Sequence, residues 1–433
     1  MRLFFVVLLI AVEMLVPVRV VEASGLEPYG GGSRGRAMGY AMVAVADDWT
    51  ASYYNPAGLT QISDRTLGLG YELFIGGMNS TESLRNLKLS AGANPMRGDF
   101  IVPETLFDEP ATFDEKSVGA TINAGEFGYT ASWDKLAFGV VLYGSGSGTS
   151  WEDSIMAGTD VIGAEISFEN VALSMPLAVA YKTTENLSLG LSLGVRYGVL
   201  DVKSSKIRTG ATSPYTMVTE QNTGGFAVGV DIGALWKPAA NLSIGGVLRL
   251  PYTFDKSGDT KINNTVYSLN VSSDMTVEES YPLRATFGCA FRPSASNLVA
   301  FGVTWLNWSE YNQSVDYENN IPGVLDDWSG NPSNWRDTWV FNLGYERNIS
   351  DLWMVRCGLT YDQAPEPTDA KTLVGGRVVD SWMFSVGAGR AWKSSTLDFG
   401  YTYSYGPEVA GFVPGAKYSL STHEMYVGYT TKF

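Results

Sequence analysis

Five arginines are placed to do chemistry in this chain. Arg196, Arg249, Arg284, Arg336 and Arg356 lie in segments where every second residue is apolar, and each falls on the opposite, small or polar parity. A planar guanidinium forks onto both oxygens of a carboxylate. Such side chains would hold either a carboxylate ligand or carboxylates of the protein itself. Glu72, Asp231, Glu346 and Asp398 share the polar parity, and Asp47 and Asp48 lie nearer the N-terminus. Both pairings are open, and pairing within the protein is the simpler expectation for most of the five.

Other reactive constellations are sparse. His423 is the only histidine. Ser419, Ser421 and Glu424 are near it in sequence, but neighbours along a strand point to opposite faces. A hydrolase needs its histidine beside a nucleophile and oriented by a carboxylate. His423 is therefore read as a loop-edge residue without a catalytic role. Arg97-Gly98-Asp99 matches an adhesive tripeptide by chance length alone. The sequence has no Cys/His cluster at metal-ligand spacing and no glycine-rich phosphate loop before a helix. No enzyme activity, metal or cofactor is expected.

The elements that carry the arginines have a period of two. From Leu187 to Val199, leucines, valines and a tyrosine take one parity, and serines, glycines and Arg196 take the other. Successive strand side chains point to opposite faces, so one face is uniformly apolar. Fourteen such segments follow, near 65–76, 118–131, 135–144, 168–182, 187–200, 223–236, 241–254, 277–292, 298–311, 335–348, 352–362, 380–392, 395–405 and 423–433. Links of a few residues alternate with long links near 77–117, 145–167, 201–222, 255–276, 312–334, 363–379 and 406–422. Short turns on one side, long loops on the other and an even strand number describe an antiparallel transmembrane β-barrel. Its apolar face would meet lipid and its polar face the lumen. Trp133, Tyr181, Trp236, Trp305, Trp308, Trp335 and Trp392 recur near strand ends, where amphipathic rings favour a membrane interface.

Composition agrees. Mean hydropathy is near zero, as expected when only alternate residues are apolar. Beyond the N-terminus no run reaches the roughly 20 apolar residues of a spanning helix. The 48 glycines would leave room in the lumen, and the net charge of −15 excludes a nucleic-acid partner. Residues 1–23 read as a signal peptide, with Arg2, an apolar run and Ala23 at the cut site. Export permits disulfides, but Cys289 and Cys357 fall on the outer face three strands apart. That is about 14 Å, too far to pair.

Residues 24–62 lack the barrel pattern. They carry Gly35-Arg36-Ala37-Met38-Gly39, Ala44-Val45-Ala46-Asp47-Asp48 and Asn55-Pro56-Ala57-Gly58-Leu59. These motifs, in this order and before a barrel, closely resemble the N-terminal hatch of the FadL/TodX (OmpP1) family of outer-membrane transporters. Pro176 to Tyr181, Arg356 to Pro365 and Phe384 to Tyr405 extend the resemblance over essentially the mature chain. It implies an all-β, 14-stranded barrel over 63–433 whose lumen is plugged by short helices in 24–62. It implies passive uptake of hydrophobic molecules, long-chain fatty acids or aromatic hydrocarbons, across the bacterial outer membrane, with a lateral exit at a kink in the third strand. Gly139 and Gly144 are the kink candidates. Glycine for lumen space explains them equally well.

For the hatch, Arg36, Gly39, Asp47, Asp48, Asn55, Pro56 and Ala57 are the candidate fixing residues, with Asn55-Pro56 forming a turn. A fatty acid needs an apolar pocket and a cation, which the five arginines could supply. Met425, Val427, Tyr429 and Phe433 share one face of the last strand, an expected signal to the barrel-assembly machinery. Outer-membrane lipid is the other expected partner. An open porin, and a barrel hydrolase or adhesin, are the competing classes.

Overall fold

The strands form where apolar side chains can face hydrocarbon. In Leu187–Thr209, Leu189, Leu191 and Leu193 are 49%, 49% and 43% exposed, while Ser188, Ser192 and Arg196 are buried. Among the described residues no protein packs on the leucine face, as for a strand face that meets lipid. The computed structural model describes residues 29–80, 116–157, 160–209, 214–265, 268–322, 324–331, 334–367, 379–410 and 417–433. The signal segment, residues 24–28 and Arg97-Gly98-Asp99 lie outside the described residues.

One sheet closes on itself. It holds fourteen antiparallel strands, four of them interrupted once. In chain order β1 is Thr66–Ser80, β2 Lys116–Trp133, β3 Leu136–Ala157, β4 Asp160–Lys182, β5 Leu187–Thr209 and β6 Tyr215–Ala239. The interrupted strands are β7 (Leu242–Arg249, Tyr252–Asn264), β8 (Leu269–Tyr281, Arg284–Ser294), β9 (Asn297–Leu306, Asn312–Tyr317) and β10 (Trp328–Gly330, Thr338–Asn348). Then come β11 (Trp353–Asp362), β12 (Ser381–Ala391), β13 (Ser395–Ala410) and β14 (Lys417–Lys432). Closure comes from β1, which pairs with both β2 and β14.

The strands outrun the expected spans mainly at the long-loop end, and by two or three residues at most at the short-turn end. The expected loops 145–167, 201–222 and 255–276 are largely strand. The reason is a change of solvent. Along β5, Leu200 and Val202 are buried on the parity that carries Ser192 and Arg196 lower down, and they pack with Met275, Val277, Val315 and Tyr317. Apolar-out becomes apolar-in once the strand leaves the bilayer for water. Cys289 and Cys357 are exposed free thiols on the outer face. Trp133, Tyr181, Trp236 and Trp392 are about half exposed near the short-turn end, where rings suit an interface. Trp308 and Trp335 are not interfacial. They are 0% and 5% exposed inside an aromatic cluster of the lumen.

The hatch in the lumen and its ion clusters

Residues 29–62 fill the barrel. They form helix α1 (Ser33–Ala37), helix α2 (Ala51–Tyr54) and a 3-10 turn, Pro56–Gln61. Helices this short are not stable alone; burial holds them. Met38, Met42, Trp49, Tyr53 and Leu59 are at most 4% exposed, and each contributes on the order of 1.5–3 kcal/mol as an upper estimate. Barrel glycines make the room. A Cβ at Gly128 would strike the Trp49 ring, one at Gly190 the Pro56-Ala57 backbone, and one at Gly245 the Val43 carbonyl.

Backbone polar groups of the hatch find partners on the wall. Gly39, at φ 57°, turns against β10 and β11, and its carbonyl accepts hydrogen bonds from Asn342 Nδ2 (2.8 Å) and Thr360 Oγ1 (2.9 Å). Asn55 Oδ1 accepts from Ala57 N–H (3.1 Å), and its amide donates to Val43 O (2.8 Å) and Ala234 O (3.0 Å). Pro56 then opens the 3-10 turn, where its missing N–H costs nothing. Ala57 is fully buried. Tyr40 and Ala46 take φ values of 61° and 33°, a left-handed conformation that persists for such residues only where the surroundings impose it.

Two ion clusters pin helix α1. In the first, Arg36 meets three carboxylates, Glu72 of β1 (2.5 Å), Glu126 of β2 (2.9 Å) and Glu424 of β14 (3.9 Å). Glu126 also accepts the Gly32 N–H (2.6 Å), and Tyr40 donates to Glu424 (3.4 Å). Burial, with Glu424 alongside, pushes the Tyr40 phenol well above its usual range, so it stays a donor. In the second, Arg34 binds Asp47 (2.5 Å), Asp48 (3.2 Å) and Glu346 (2.8 Å). Arg292 reaches Asp47 (3.0 Å), and Arg356 binds Glu346 (2.6 Å) and Asp398 (2.6 Å). Asp48 also accepts the backbone N–H and hydroxyl of Thr50.

The five predicted arginines therefore separate. Arg356 joins the second cluster through Glu346, which it shares with hatch residue Arg34. Arg249 is bound to Asp231 (3.0 Å) and lies over the Tyr53 ring. Arg196 is buried, donates to Gly194 O (3.3 Å) and stacks over Tyr252 at 4.2 Å. Arg284 donates to Tyr53 Oη (3.4 Å). Arg336 is a correction: it precedes the membrane segment of β10 and is exposed, so strand parity does not apply to it. None of the five touches Asp47 or Asp48 among the described contacts; Arg34 and Arg292 do. Parity could not find Arg34, which is outside the barrel pattern. Glu126 and Glu424 sit on the lumen parity of β2 and β14 inside the expected spans 118–131 and 423–433, so strand parity alone places them beside the carboxylates named from sequence.

Other placements differ from expectation. His423 is not at a loop edge. It lies inside β14 on the outer face, its Nδ1 2.6 Å from Tyr401 Oη. Gly139 pairs regularly with Thr130 and Ala178, and a Cβ there would collide with Ser52 and Leu59 of the hatch. Its glycine is for clearance. The β3–β4 ladder instead lacks partners at Val141 and Leu142, opposite Met175 and Pro176, and resumes before Gly144, which pairs with Leu173. Among the described residues the β2–β3 ladder ends at Glu126 and Tyr143, although both strands continue. Tyr429 is 40% and Phe433 68% exposed on the outer face, and the Phe433 N–H donates to Arg65 O.

Between the hatch and β7–β10 lies a cavity of about 30 Å³. Tyr29, Tyr40, Tyr53, Tyr54, Val247, Leu306 and Val340 give it apolar walls, with Arg249, Arg284 and Asn342 as polar points. It has room for roughly one or two waters. A hydrocarbon enters only if hatch and wall part.

A closed barrel with an apolar outside, stoppered by its own N-terminal segment, is the architecture of an outer-membrane transport channel. The chain belongs to the outer membrane protein transport protein family (OMPP1/FadL/TodX), whose sequence profile matches residues 21–424. Solved structures share the fold. A Pseudomonas aeruginosa FadL homologue gives a TM-score of 0.73 at 17% identity, covering 95% of this chain and 100% of that one. The Ralstonia pickettii toluene transporter TbuX gives 0.65 at 16%, covering 94% and 99%. The Pseudomonas putida toluene transporter TodX gives 0.67 at 15%, covering 96% and 100%. No curated protein sequence matches the chain.

Proposed function

We propose that this barrel takes up hydrophobic molecules, foremost long-chain fatty acids, without a nucleotide or cofactor. The observation that carries the reading is the cavity between hatch and wall, apolar on most sides and bordered by Arg249 and Arg284. An acyl chain would lie along the tyrosines and aliphatic residues, and its carboxylate would meet Arg284, beside the Arg249–Asp231 pair. The cavity is too small for the ligand, so binding is coupled to movement of the hatch. Discharge would be lateral, at the interrupted β3–β4 ladder opposite Pro176.

Arg284→Gln tests the head-group assignment. A charge-assisted hydrogen bond contributes about 1.5–3 kcal/mol, roughly ten- to hundredfold in affinity. The variant is expected to lose that much affinity for oleate and none for toluene, measured by ligand binding to purified protein. Equal oleate affinity in Arg284→Gln and Arg249→Gln, with the fold intact, would remove the head-group role. A second reading is uptake of aromatic hydrocarbons. Four tyrosines on the cavity wall favour it, as do the fold relatives described as toluene transporters. Growth of a deletion strain on oleate and on toluene separates the two. Small steady conductance in planar bilayers is expected; a large one would favour an open porin.

A further inference from the structure

β7, β8, β9 and β10 are all interrupted at one level. The lower segments, Leu242–Arg249, Arg284–Ser294, Asn297–Leu306 and Thr338–Asn348, are 8, 11, 10 and 11 residues long. A barrel strand needs about 9–11 residues to cross a bilayer. Their far ends meet in register, Arg249 with Arg284, Arg284 with Leu306, and Leu306 with Thr338. One pair below, Trp305 faces Trp339, which is 45% exposed. The breaks therefore form a transverse seam at the outer membrane–water interface, opposite the short turns.

Sequence explains the seam. The register running from Arg249–Arg284 to Tyr252–Tyr281 puts Pro251 opposite Pro282. Neither has an N–H, so the ladder is missing from both sides at once. Pairing of β6 with β7 slips by one residue here, from Asp231–Arg249 to Phe226–Asp255. Pairing of β8 with β9 slips by two, from Arg284–Leu306 to Ser280–Asn312, around the turn Trp308–Glu310. Prolines in inner strands are costly unless the break is used.

Directly inside the seam sits a closed aromatic layer. Tyr252 and Tyr281 stack at 5.0 Å, Tyr311 and Trp335 at 4.8 Å, and Trp308 meets Trp335 edge-on at 5.0 Å. The layer shares Leu306 and Val340 with the wall of the cavity beneath, and Tyr29 packs against it. Its rings meet by van der Waals and ring contacts, which a hydrophobic ligand can replace in kind, and Trp335 is also held by Glu366 (3.4 Å) and Asn331.

We infer that the wall bends at this Pro251–Pro282 seam, and that the aromatic layer is the gate through which hydrophobic ligand reaches the cavity from the outer interface. The inference rests on the uptake reading and places the way in on β7–β10, apart from β3. The bend has few backbone hydrogen bonds to break: among the described residues Leu250 N–H donates to Val230 O (2.9 Å) and Asn307 N–H to Leu283 O (3.1 Å) across the seam, while Pro251 and Pro282 have no N–H to give each other. Ligand leaving the outer leaflet meets rings of matching polarity.

The test uses the full-length protein in liposomes and a fluorescent fatty acid. Pro251→Val with Pro282→Val restores two N–H donors and stiffens the seam. Uptake is expected to fall about tenfold, with the heat-modifiable barrel retained. Trp308→Ala with Trp335→Ala opens the layer, and uptake is expected to rise several-fold without ion conductance, because the hatch remains. Uptake within twofold of wild type in both variants would overturn the gate and leave the uptake reading standing. No uptake by the wild-type protein would overturn both.

Discussion

Arg36→Met is expected to convert a plugged barrel into a conducting one. The guanidinium is the cation between Glu72 of β1, Glu126 of β2 and Glu424 of β14, and β1 lies between the other two strands. Methionine keeps the bulk and removes the charge. Three partly or fully buried carboxylates then face a hatch that offers the Gly32 N–H and the Tyr40 hydroxyl but no longer the guanidinium. Breaking such a buried pair from one side costs about 3–5 kcal/mol, because the desolvated partners lose the charge that compensated their burial. The barrel has its own ladder hydrogen bonds and holds its shape, so the loss falls on seating of the hatch. Planar-bilayer recordings should show large, steady conductance where the wild type is nearly closed. Neutral partners supply the internal control. Adding Glu72→Gln, Glu126→Gln and Glu424→Gln to Arg36→Met removes any repulsion among the three, so closure should return. Wild-type conductance in Arg36→Met alone would show that helix α1 is seated by shape alone.

The membrane part of this fold was legible because lipid imposes a strict period of two on every strand. Leu189, Leu191 and Leu193 could not be misread. The extracellular continuations were hidden because the rule reverses there. Leu200 and Val202 point inward, Asp201 and Lys203 point out to water, and the stretch resembles an ordinary polar loop. Parity located Arg196, Arg249, Arg284 and Arg356 on the lumen side, since a strand's inner face does not depend on its exact ends. It failed for Arg336, where the strand had not yet begun. It also had no means of assigning partners, which depend on how the hatch threads the barrel. Arg34 and Arg36 are two residues apart on one short helix and serve two separate clusters. Only the packed position of α1 decides that. The aromatic gate was hidden for a related reason. Trp308 and Trp335 look like interfacial rings by position in the chain, but they lie in the breaks of β9 and β10 and are buried inside.

Gly358→Val should produce the other large effect, and by a different force. A Cβ at residue 358 would overlap the backbone nitrogen and Cα of Gly39 and the carbonyl carbon of Met38. Those are main-chain atoms held by Asn342 and Thr360 through the Gly39 carbonyl, so no side chain can swing aside to make space. Overpacking a fitted core costs about 1–3 kcal/mol or more, and here the two hydrogen bonds to Gly39 go with it. Valine suits a strand, so β11 itself is not weakened and the heat-modifiable barrel should persist. The hatch must lift. Conductance should rise as in Arg36→Met, with one difference that separates shape from charge. The three Glu→Gln changes should restore closure in Arg36→Met and leave Gly358→Val open, since removing charge cannot shrink a methyl group. If Gly358→Val stays closed at neutral pH, the hatch is not seated against β11, and the ring of wall glycines does not shape it.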